Sequence, residues 1–114
     1  MNKEYELELL STAQHELEEI GRVHLELAGP NVAKKTTDRI LSSLAKLKTL
    51  PDSGIACRDR QLAAEGYRML TSGDYFCVYR KTGNTIYIYH IVEGKANFPR
   101  LFSDIKKVRS NKHG

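Results

Sequence analysis

The fold of this chain is decided by residues 66–92, which contain three β-prone runs. The runs are Gly66-Tyr67-Arg68-Met69-Leu70-Thr71, Tyr75-Phe76-Cys77-Val78-Tyr79-Arg80 and Thr85-Ile86-Tyr87-Ile88-Tyr89-His90-Ile91-Val92. β-branched and aromatic residues dominate them, and such residues favour pleated strands. Short turn sequences separate the runs, Ser72-Gly73-Asp74 after the first and Gly83-Asn84 after the second. This pattern predicts a three-stranded antiparallel meander joined by two hairpins.

Before the meander, apolar residues recur at helical spacing. The first helix is predicted to have Ser11 as its N-cap, with Gln14 three residues later. Gly29-Pro30 ends this helix and starts a second one, which Pro51-Asp52-Ser53-Gly54 ends. The first helix has the apolar stripe Ala13, Leu17, Ile20, His24 and Leu27, and an acidic outer face of Glu16, Glu18, Glu19 and Glu26; the stripe of the second is Ala33, Thr37, Ile40, Leu41, Leu44 and Leu47. The two adjacent helices predict a helical hairpin.

Short segments at both ends complete the expected domain. Tyr5-Glu6-Leu7-Glu8-Leu9 alternates apolar and acidic residues and predicts a first strand. A turn or short helix is expected around Pro99–Lys106, and residues 107–114 are expected to form a frayed basic tail.

The predicted fold class is therefore α+β, in the order β-α-α-β-β-β plus a short C-terminal helix, with a single domain over residues 1–106. The N-terminal strand and helical hairpin are expected to pack on one face of a small antiparallel sheet. The other face is expected to remain open and to serve as a basic binding surface.

The composition limits the possible classes of protein. A chain of 114 residues fits one domain with its own core. It has no apolar run long enough for a bilayer and no apolar leader at Met1, so a cytoplasmic protein without membrane contact is expected. Cys57 and Cys77 lack metal-ligand spacing, so they are expected to be reduced, buried thiols, and neither a metal nor a small-molecule cofactor is predicted.

Charge is distributed unevenly along the chain, although the net charge is only +4. Residues 1–29 hold two basic and seven acidic residues, which gives −5. Residues 30–65 hold seven basic and four acidic residues (+3), and residues 66–114 hold nine basic and three acidic residues (+6). The C-terminal half is therefore where an anionic partner is expected to bind, with an ordinary solvated surface as the alternative.

Several short motifs follow one another in a recognisable order from Tyr5 to about Phe102. They are Ala13, Leu17 and Ile20 in the first helix; Leu47, Pro51 and Gly54 after the second; Gly66-Tyr67-Arg68, Gly73-Asp74-Tyr75 and Val78-Tyr79-Arg80 in the meander; and His90-Ile91-Val92-Glu93-Gly94-Lys95 at its end. In this order and spacing, the chain resembles the RelE/ParE superfamily of toxins from type II toxin-antitoxin systems.

The resemblance implies one of two activities. The first is inhibition of translation by ribosome-dependent, metal-independent cleavage of mRNA, and the second is ParE-like poisoning of DNA gyrase. In both branches a cognate antitoxin neutralises the toxin. The implied partners are thus an antitoxin together with the ribosome and mRNA, or an antitoxin together with gyrase. A third alternative, from a different functional class, is a degenerate toxin that retains only antitoxin binding.

RNA cleavage without a metal needs a base, an acid and cations that stabilise the phosphate. Arg68 is the first candidate, because the family places an arginine there and a guanidinium can bind two phosphate oxygens; a surface salt bridge is the alternative. The catalytic candidates are Arg68, His90, Glu93 and Lys95, and the RNA-binding candidates are Arg68, Tyr75, Arg80, Lys95 and Arg100. Alternation along the strand places Arg80 on the same face as Phe76 and Val78.

His90 and Glu93 are considered as an acid-base pair near the end of the last strand. Strand alternation puts them on opposite faces unless the backbone turns at Gly94, and a structural role for His90 is the alternative.

Three positions depart from the ribonuclease pattern of the family. Phe102 stands where several members carry a catalytic tyrosine, Ala96 follows Lys95 where an arginine is common, and Phe76 replaces an arginine of the middle strand. These departures favour the gyrase branch, although Glu93-Gly94-Lys95-Ala96-Asn97 also differs from the usual ending of that branch. An acidic, disordered antitoxin tail is expected to cover Arg68, Arg80 and Lys95.

Overall fold

The computed structural model describes residues 4–111, with side-chain surroundings described through residue 107. Its elements in chain order are strand β1 (Glu6–Leu9), helices α1 (Ser11–Ala28) and α2 (Pro30–Ala45), a 3-10 turn (Lys46–Lys48), strand β2 (Ile55–Ala56), helix α3 (Arg60–Ala64), strands β3 (Tyr67–Ser72), β4 (Tyr75–Thr82) and β5 (Thr85–Glu93), and helix α4 (Phe98–Asn111). This order confirms the predicted α+β class. It adds β2 and α3, which lie in a stretch where the sequence analysis predicted no element.

The meander forms as predicted, and its two hairpins have the expected turns. Ser72 pairs with Tyr75 and Thr82 pairs with Thr85, so each loop contains only two residues. Gly73 and Gly83 have φ angles of 60° and 61°, a left-handed conformation that tight hairpin turns require and glycine adopts without strain.

The sheet has five strands in the order β1-β5-β4-β3-β2, and it is antiparallel except at one edge. β1 runs parallel to β5, with Leu9 opposite Ile88. The chain leaves β1 through the helical hairpin before it returns to the sheet, and parallel neighbours need such a long connection. β1 is therefore an edge strand of the sheet itself, which corrects the prediction that the N-terminal strand packs on one face of the sheet.

The helical hairpin packs on one face of the sheet, as predicted. The hairpin lies against alternate residues of β4 and β5, and the buried cluster consists of Ala13, Ile40, Leu44, Leu47, Tyr75, Cys77, Tyr79, Ile86, Ile88 and Ile91. The predicted helix break also holds, because Gly29 ends α1 and Pro30 is the first residue of α2.

Three details of the predicted helices are wrong. The N-cap of α1 is Leu10, with no side-chain cap, because the backbone N–H of Leu10 is still bonded to the Ile88 carbonyl at 3.0 Å and the helix begins directly after this strand contact. Leu27 is 83% exposed and Leu41 is 42% exposed, so neither belongs to the core. Glu16, predicted on the outer face, instead contacts the edge of β5.

The second face of the sheet is not open, which corrects the expected binding surface. Phe98, Phe102 and Ile105 lie on one side of α4 at helical spacing, and they are buried. They pack with residues of α3 and of the sheet, in the cluster Cys57, Leu62, Tyr67, Met69, Val78, Phe98, Phe102 and Ile105.

The C-terminal helix is longer than predicted. Helix α4 continues to Asn111 and so extends past Lys106 into the first residues of the predicted frayed tail, residues 107–114. The rest of that predicted tail, residues 112–114, lies outside the described residues.

Candidate functional site

Arg68, the first candidate for phosphate binding, is hydrogen-bonded to the backbone of the loop before β2. Its Nε donates a hydrogen bond to the Gly54 carbonyl oxygen at 3.1 Å, and its NH2 donates to the same oxygen. The NH2 group also donates to the Asp52 carbonyl oxygen at 3.1 Å. Arg68 therefore holds a loop in place, which is neither the predicted phosphate contact nor the alternative surface salt bridge.

Arg80 lies on the opposite face of the sheet from Arg68. Its guanidinium carbon lies 5.1 Å from the centre of the Tyr67 ring, a cation-π geometry. The predicted placement of Arg80 beside Phe76 and Val78 is confirmed, because these two residues pack with the same α4-side cluster. Arg68 alternates with Tyr67 and Met69 of this cluster and so points to the helical-hairpin side.

Lys95 and Arg100 are exposed cations near the far end of the sheet. The register places Arg80 opposite Tyr87 and Tyr75 opposite Glu93. Arg80 lies five positions along β4 from Tyr75, the residue opposite Glu93. Arg80 and Glu93 are therefore about 17 Å apart along the strand direction. Arg100 lies in the first turn of α4, where its backbone N–H donates to the Asn97 side chain at 3.2 Å.

His90 is paired with Glu16 of α1, and not with Glu93 as the sequence analysis considered. The His90 Nδ1 atom lies 3.1 Å and 3.2 Å from the two carboxylate oxygens of Glu16. One of these oxygens also accepts the backbone N–H of Ile91 at 2.9 Å. Glu16 thereby caps the edge of β5 beyond the end of β1. This contact is one that the alternative, a structural role for His90, would require, and the catalytic role stays a prediction.

A bulge interrupts strand alternation in β5 just before His90, while His90 and Glu93, which both follow it, lie on different faces of the sheet, as alternation predicts. Val78 pairs with His90, whereas its neighbour Tyr79 pairs with Ile88, so β5 contains one extra residue at this point. Tyr89, the extra residue, packs its ring at 5.0 Å from the ring of Tyr67. Burial first, and then a hydrogen bond with Tyr67, raise the pKa of Tyr89 to about 12.

Tyr75 is only 9% exposed and lies on the helical-hairpin side of the sheet. Burial, followed by the nearby carboxylates of Glu93 and Asp74, raises the pKa of its phenol. Acidic neighbours repel phosphate, so this environment does not suit the RNA contact predicted for Tyr75.

Tyr75 is one of the residues that line a groove, which we call the α1-β5 groove. Its volume is about 260 Å³, and it lies between the second half of α1 and the end of β5. The lining residues are Glu16, Glu19, Ile20, Val23, His24, Tyr75, Ile91, Val92 and Glu93.

Phe102, which stands in place of a family tyrosine, is 5% exposed within the core between α4 and the sheet. Its ring therefore contributes to packing and is not accessible for stacking on a base.

The sequence analysis missed Arg58, Asp59 and Lys106, which join the segment before α3 to α4. Arg58 lies over the rings of Phe76 and Phe98 at 5.8 Å and 5.5 Å. Asp59 Oδ1 accepts the Leu62 N–H and its Oδ2 accepts from Lys106. The motif Asp59-x-x-Leu62 is an N-cap signal that could have identified α3 from the sequence.

Within residues 4–111, no group of three or more His, Cys, Asp or Glu side chains is arranged to hold a metal ion. In the same part of the chain, no helix combines the length and apolar character needed to span a membrane.

Comparisons with known proteins agree with this fold. Residues 7–98 match the family model described as the ParE toxin of the type II toxin-antitoxin system parDE. No curated protein matches the sequence at a significant level.

Two solved structures illustrate the structural likeness. A chain from the chromosomal ParDE TA system of P. aeruginosa superposes with a TM-score of 0.67 and 22% sequence identity, covering 80% of this chain and 97% of that one. A chain of the toxin-antitoxin complex RelBE2 from Mycobacterium tuberculosis gives a TM-score of 0.57 and 18% identity, covering 82% of this chain and 94% of that one. Because the family model covers most of the sequence, this chain belongs to the ParE toxin family of type II toxin-antitoxin systems, within the RelE/ParE superfamily.

Proposed function

We propose that this chain is a toxin that poisons DNA gyrase by binding it, and that a cognate antitoxin neutralises the toxin. The observation that carries the proposal is that the candidate catalytic residues do not converge. Arg68 is bonded to the Gly54 carbonyl and His90 to Glu16, while Lys95 is exposed near the opposite end of the sheet from Arg68.

Metal-independent RNA cleavage requires catalytic groups that lie close together, and the candidate residues of this chain lie apart. A base, an acid and a phosphate-binding cation must lie within hydrogen-bond reach of one phosphodiester. In this chain the sheet separates Arg68 from Arg80, and Phe102 has no hydroxyl. Poisoning by binding needs only a surface that fits the target, and so it is compatible with dispersed cations.

The comparisons add support from two directions. The matched family is the ParE branch, for which gyrase is the target implied by the resemblance. The M. tuberculosis structure is that of a toxin-antitoxin complex, and the P. aeruginosa structure belongs to a ParDE TA system. These relatives support an antitoxin as a partner of this chain. Ribosome-dependent mRNA cleavage, the first expectation from the sequence, stays a prediction that the same experiment tests.

The experiment combines two readouts after induced expression in a bacterial host. Gyrase-dependent DNA breaks are measured in the cells and with purified gyrase and plasmid DNA, while primer extension maps new 5′ ends on an abundant message. DNA breaks with intact messages are expected. New 5′ ends inside translated codons, without DNA breaks, would overturn the proposal in favour of mRNA cleavage. Absence of toxicity would favour a degenerate toxin that only binds an antitoxin.

Variants must be chosen so that loss of function does not simply report unfolding. Lys95→Ala and Arg100→Ala are suitable, because both side chains are exposed. Arg68→Ala is unsuitable as an active-site test, because Arg68 holds the loop at Gly54. Lys34→Ala, which changes an exposed cation of α2, is the matched control for lost positive charge.

A further inference from the structure

The two edge strands of the sheet differ in charge. β1 forms one edge and β2 forms the other. Glu6 and Glu8 of β1 are both exposed, and like charges would face each other if two β1 edges met. In contrast, β2 and its neighbours read Gly54-Ile55-Ala56-Cys57, without a charged residue or a proline. The β2 edge therefore lacks the residues with which proteins commonly protect a free sheet edge.

The backbone N–H and C=O of Ala56 point away from the sheet. On one side of Ala56, the Cys57 N–H donates to the Tyr67 carbonyl oxygen at 3.0 Å. In an antiparallel ladder, a residue bonded to its neighbouring strand alternates with one whose N–H and C=O face the other way. Because Cys57 is bonded to β3, the N–H and C=O of Ala56 are directed to the free edge. A further strand can therefore bond to Ala56 without displacing a bond between β2 and β3.

The loop before β2 is fixed against the sheet. The Gly54 N–H donates to the Tyr79 phenol oxygen at 3.0 Å, and the Gly54 carbonyl oxygen accepts from Arg68. Leu50 and Ile55, on either side of these bonds, are each 61% exposed. The loop thus presents two apolar side chains at the β2 edge in a preformed arrangement, which reduces the entropy lost when a partner binds.

Charges of opposite sign flank the β2 edge. Asp52 precedes Ala56 by four positions, Arg60 follows it by four, and both side chains are exposed. Within the part of the chain whose side chains are described, neither forms a salt bridge. If two β2 edges pair antiparallel about Ala56, Asp52 of each copy lies on the same side as Arg60 of the other. The edge is therefore self-complementary in charge, as a two-fold interface requires.

From these observations we infer that two copies of this chain associate through their β2 edges. Ala56 of each copy exchanges both backbone hydrogen bonds with Ala56 of the other, so the two five-stranded sheets become one continuous sheet. The α1-β5 groove lies toward the opposite edge and stays open in this dimer. The inference depends neither on the target of the toxin nor on an antitoxin. A two-residue strand buries little surface, so the dimer is expected to be weak.

The first test is sedimentation equilibrium of the purified full chain between about 1 μM and 1 mM, a range that covers weak association. The dimer fraction is expected to rise with concentration. Ala56→Pro should weaken the dimer at least about tenfold, because proline removes an N–H that faces solvent in the monomer and is tolerated at such edge positions. Ala56→Ser is the matched control, since it keeps the N–H, and it should change the association less than about twofold.

The second test examines the two flanking charges. Asp52→Lys and Arg60→Glu are each expected to weaken self-association about tenfold, because each places like charges together. An equimolar mixture of the two variants should regain dimerisation to within about threefold of the wild-type chain, since each altered charge then meets its opposite in the other copy. Lys35→Glu reverses an exposed cation of α2 and is the control for the change in net charge.

Three outcomes would overturn the inference. The first is a chain that remains monomeric up to about 1 mM. The second is an Ala56→Pro protein that dimerises as the Ala56→Ser protein does, with circular dichroism showing both folded. The third is a mixture of the two charge variants that associates no better than either variant alone, because the antiparallel β2 pairing requires the charges to complement each other.

Discussion

Arg68 holds the carbonyl oxygen of Gly54, with its Nε donating at 3.1 Å and its NH2 donating to the same atom. One guanidinium thereby fixes the loop that leads into β2 against the neighbouring strand β3. This contact changes the interpretation of a residue that the family resemblance identifies as a phosphate ligand.

We expect Arg68→Ala to lower the free energy of unfolding by about 1–3 kcal/mol, because backbone carbonyls lose a charged donor. Arg68→Lys should recover little of this, since one ammonium cannot reproduce the planar fork of donors. Urea denaturation measures the effect. Arg100→Ala is the control, because its exposed side chain makes no comparable bond within the described part of the chain. Equal stability of the two alanine variants would contradict the assigned role.

Tyr79→Phe is expected to destabilise the chain by about 1–3 kcal/mol. The buried phenol donates to the Pro51 carbonyl at 2.8 Å and accepts the Gly54 N–H at 3.0 Å, so phenylalanine leaves both groups without this partner. Thermal and urea unfolding measure the change. Tyr87→Phe, at a half-buried position of β5, should be nearly neutral. A Tyr79→Phe protein as stable as the Tyr87→Phe protein would show that water replaces the phenol.

The pairing of Asp59 with Lys106 should affect how the stability of the protein changes at acidic pH. The hydrogen bond from Lys106, and then the Leu62 N–H, lower the pKa of Asp59. A carboxyl group whose pKa is lowered in the folded state stabilises the fold at pH values above its ordinary pKa. This stabilisation is lost as the pH falls through the pKa of the folded state. Asp59→Asn should therefore lower the Tm near neutral pH and reduce the difference from wild type below about pH 4. The control variant is Asp104→Asn, at an exposed site of α4. If Tm depended on pH in the same way in both variants, the stabilising role of the Asp59–Lys106 pair would be ruled out.

Neither cysteine should react while the chain is folded. Burial, and then the Glu16 carboxylate, raise the pKa of Cys77 to about 12, and burial also raises the pKa of Cys57. The thiolate is the reactive form, so iodoacetamide at mildly alkaline pH should modify the native protein slowly and the urea-unfolded protein at both positions. Mass spectrometry counts the adducts. Rapid modification of the native chain would mean that the core opens far more often than its packing suggests.

Elements that depend on local interactions were predictable from the sequence. The hairpin at Gly73 and the helix break at Gly29-Pro30 follow from backbone conformations that few other residues adopt. The start of α1 was misplaced by one residue, because Leu10 is held by a bond to Ile88 on a distant strand. Helix α3 was missed, since a single turn has too few residues for a periodic signal.

The candidate site was less predictable, because its contacts join residues far apart in the sequence. The bond between His90 and Glu16 spans 74 positions, and the bulge at Tyr89 interrupts strand alternation in β5 just before His90. The family resemblance identified Arg68 as an important position, but not the carbonyl groups to which it is bonded.

By itself, the sequence determined the α+β class, the helical hairpin, the meander and the toxin family, because these depend on periodicity, turn chemistry and ordered motifs. Only the tertiary structure decided that α4 covers the second face of the sheet, that Arg68 and Arg80 lie on opposite sides, and that α1 and the end of β5 form a groove lined by Tyr75 and Glu93. The physical reason is that side-chain partners and solvent exposure arise when distant segments pack together, and local sequence patterns do not encode that packing directly.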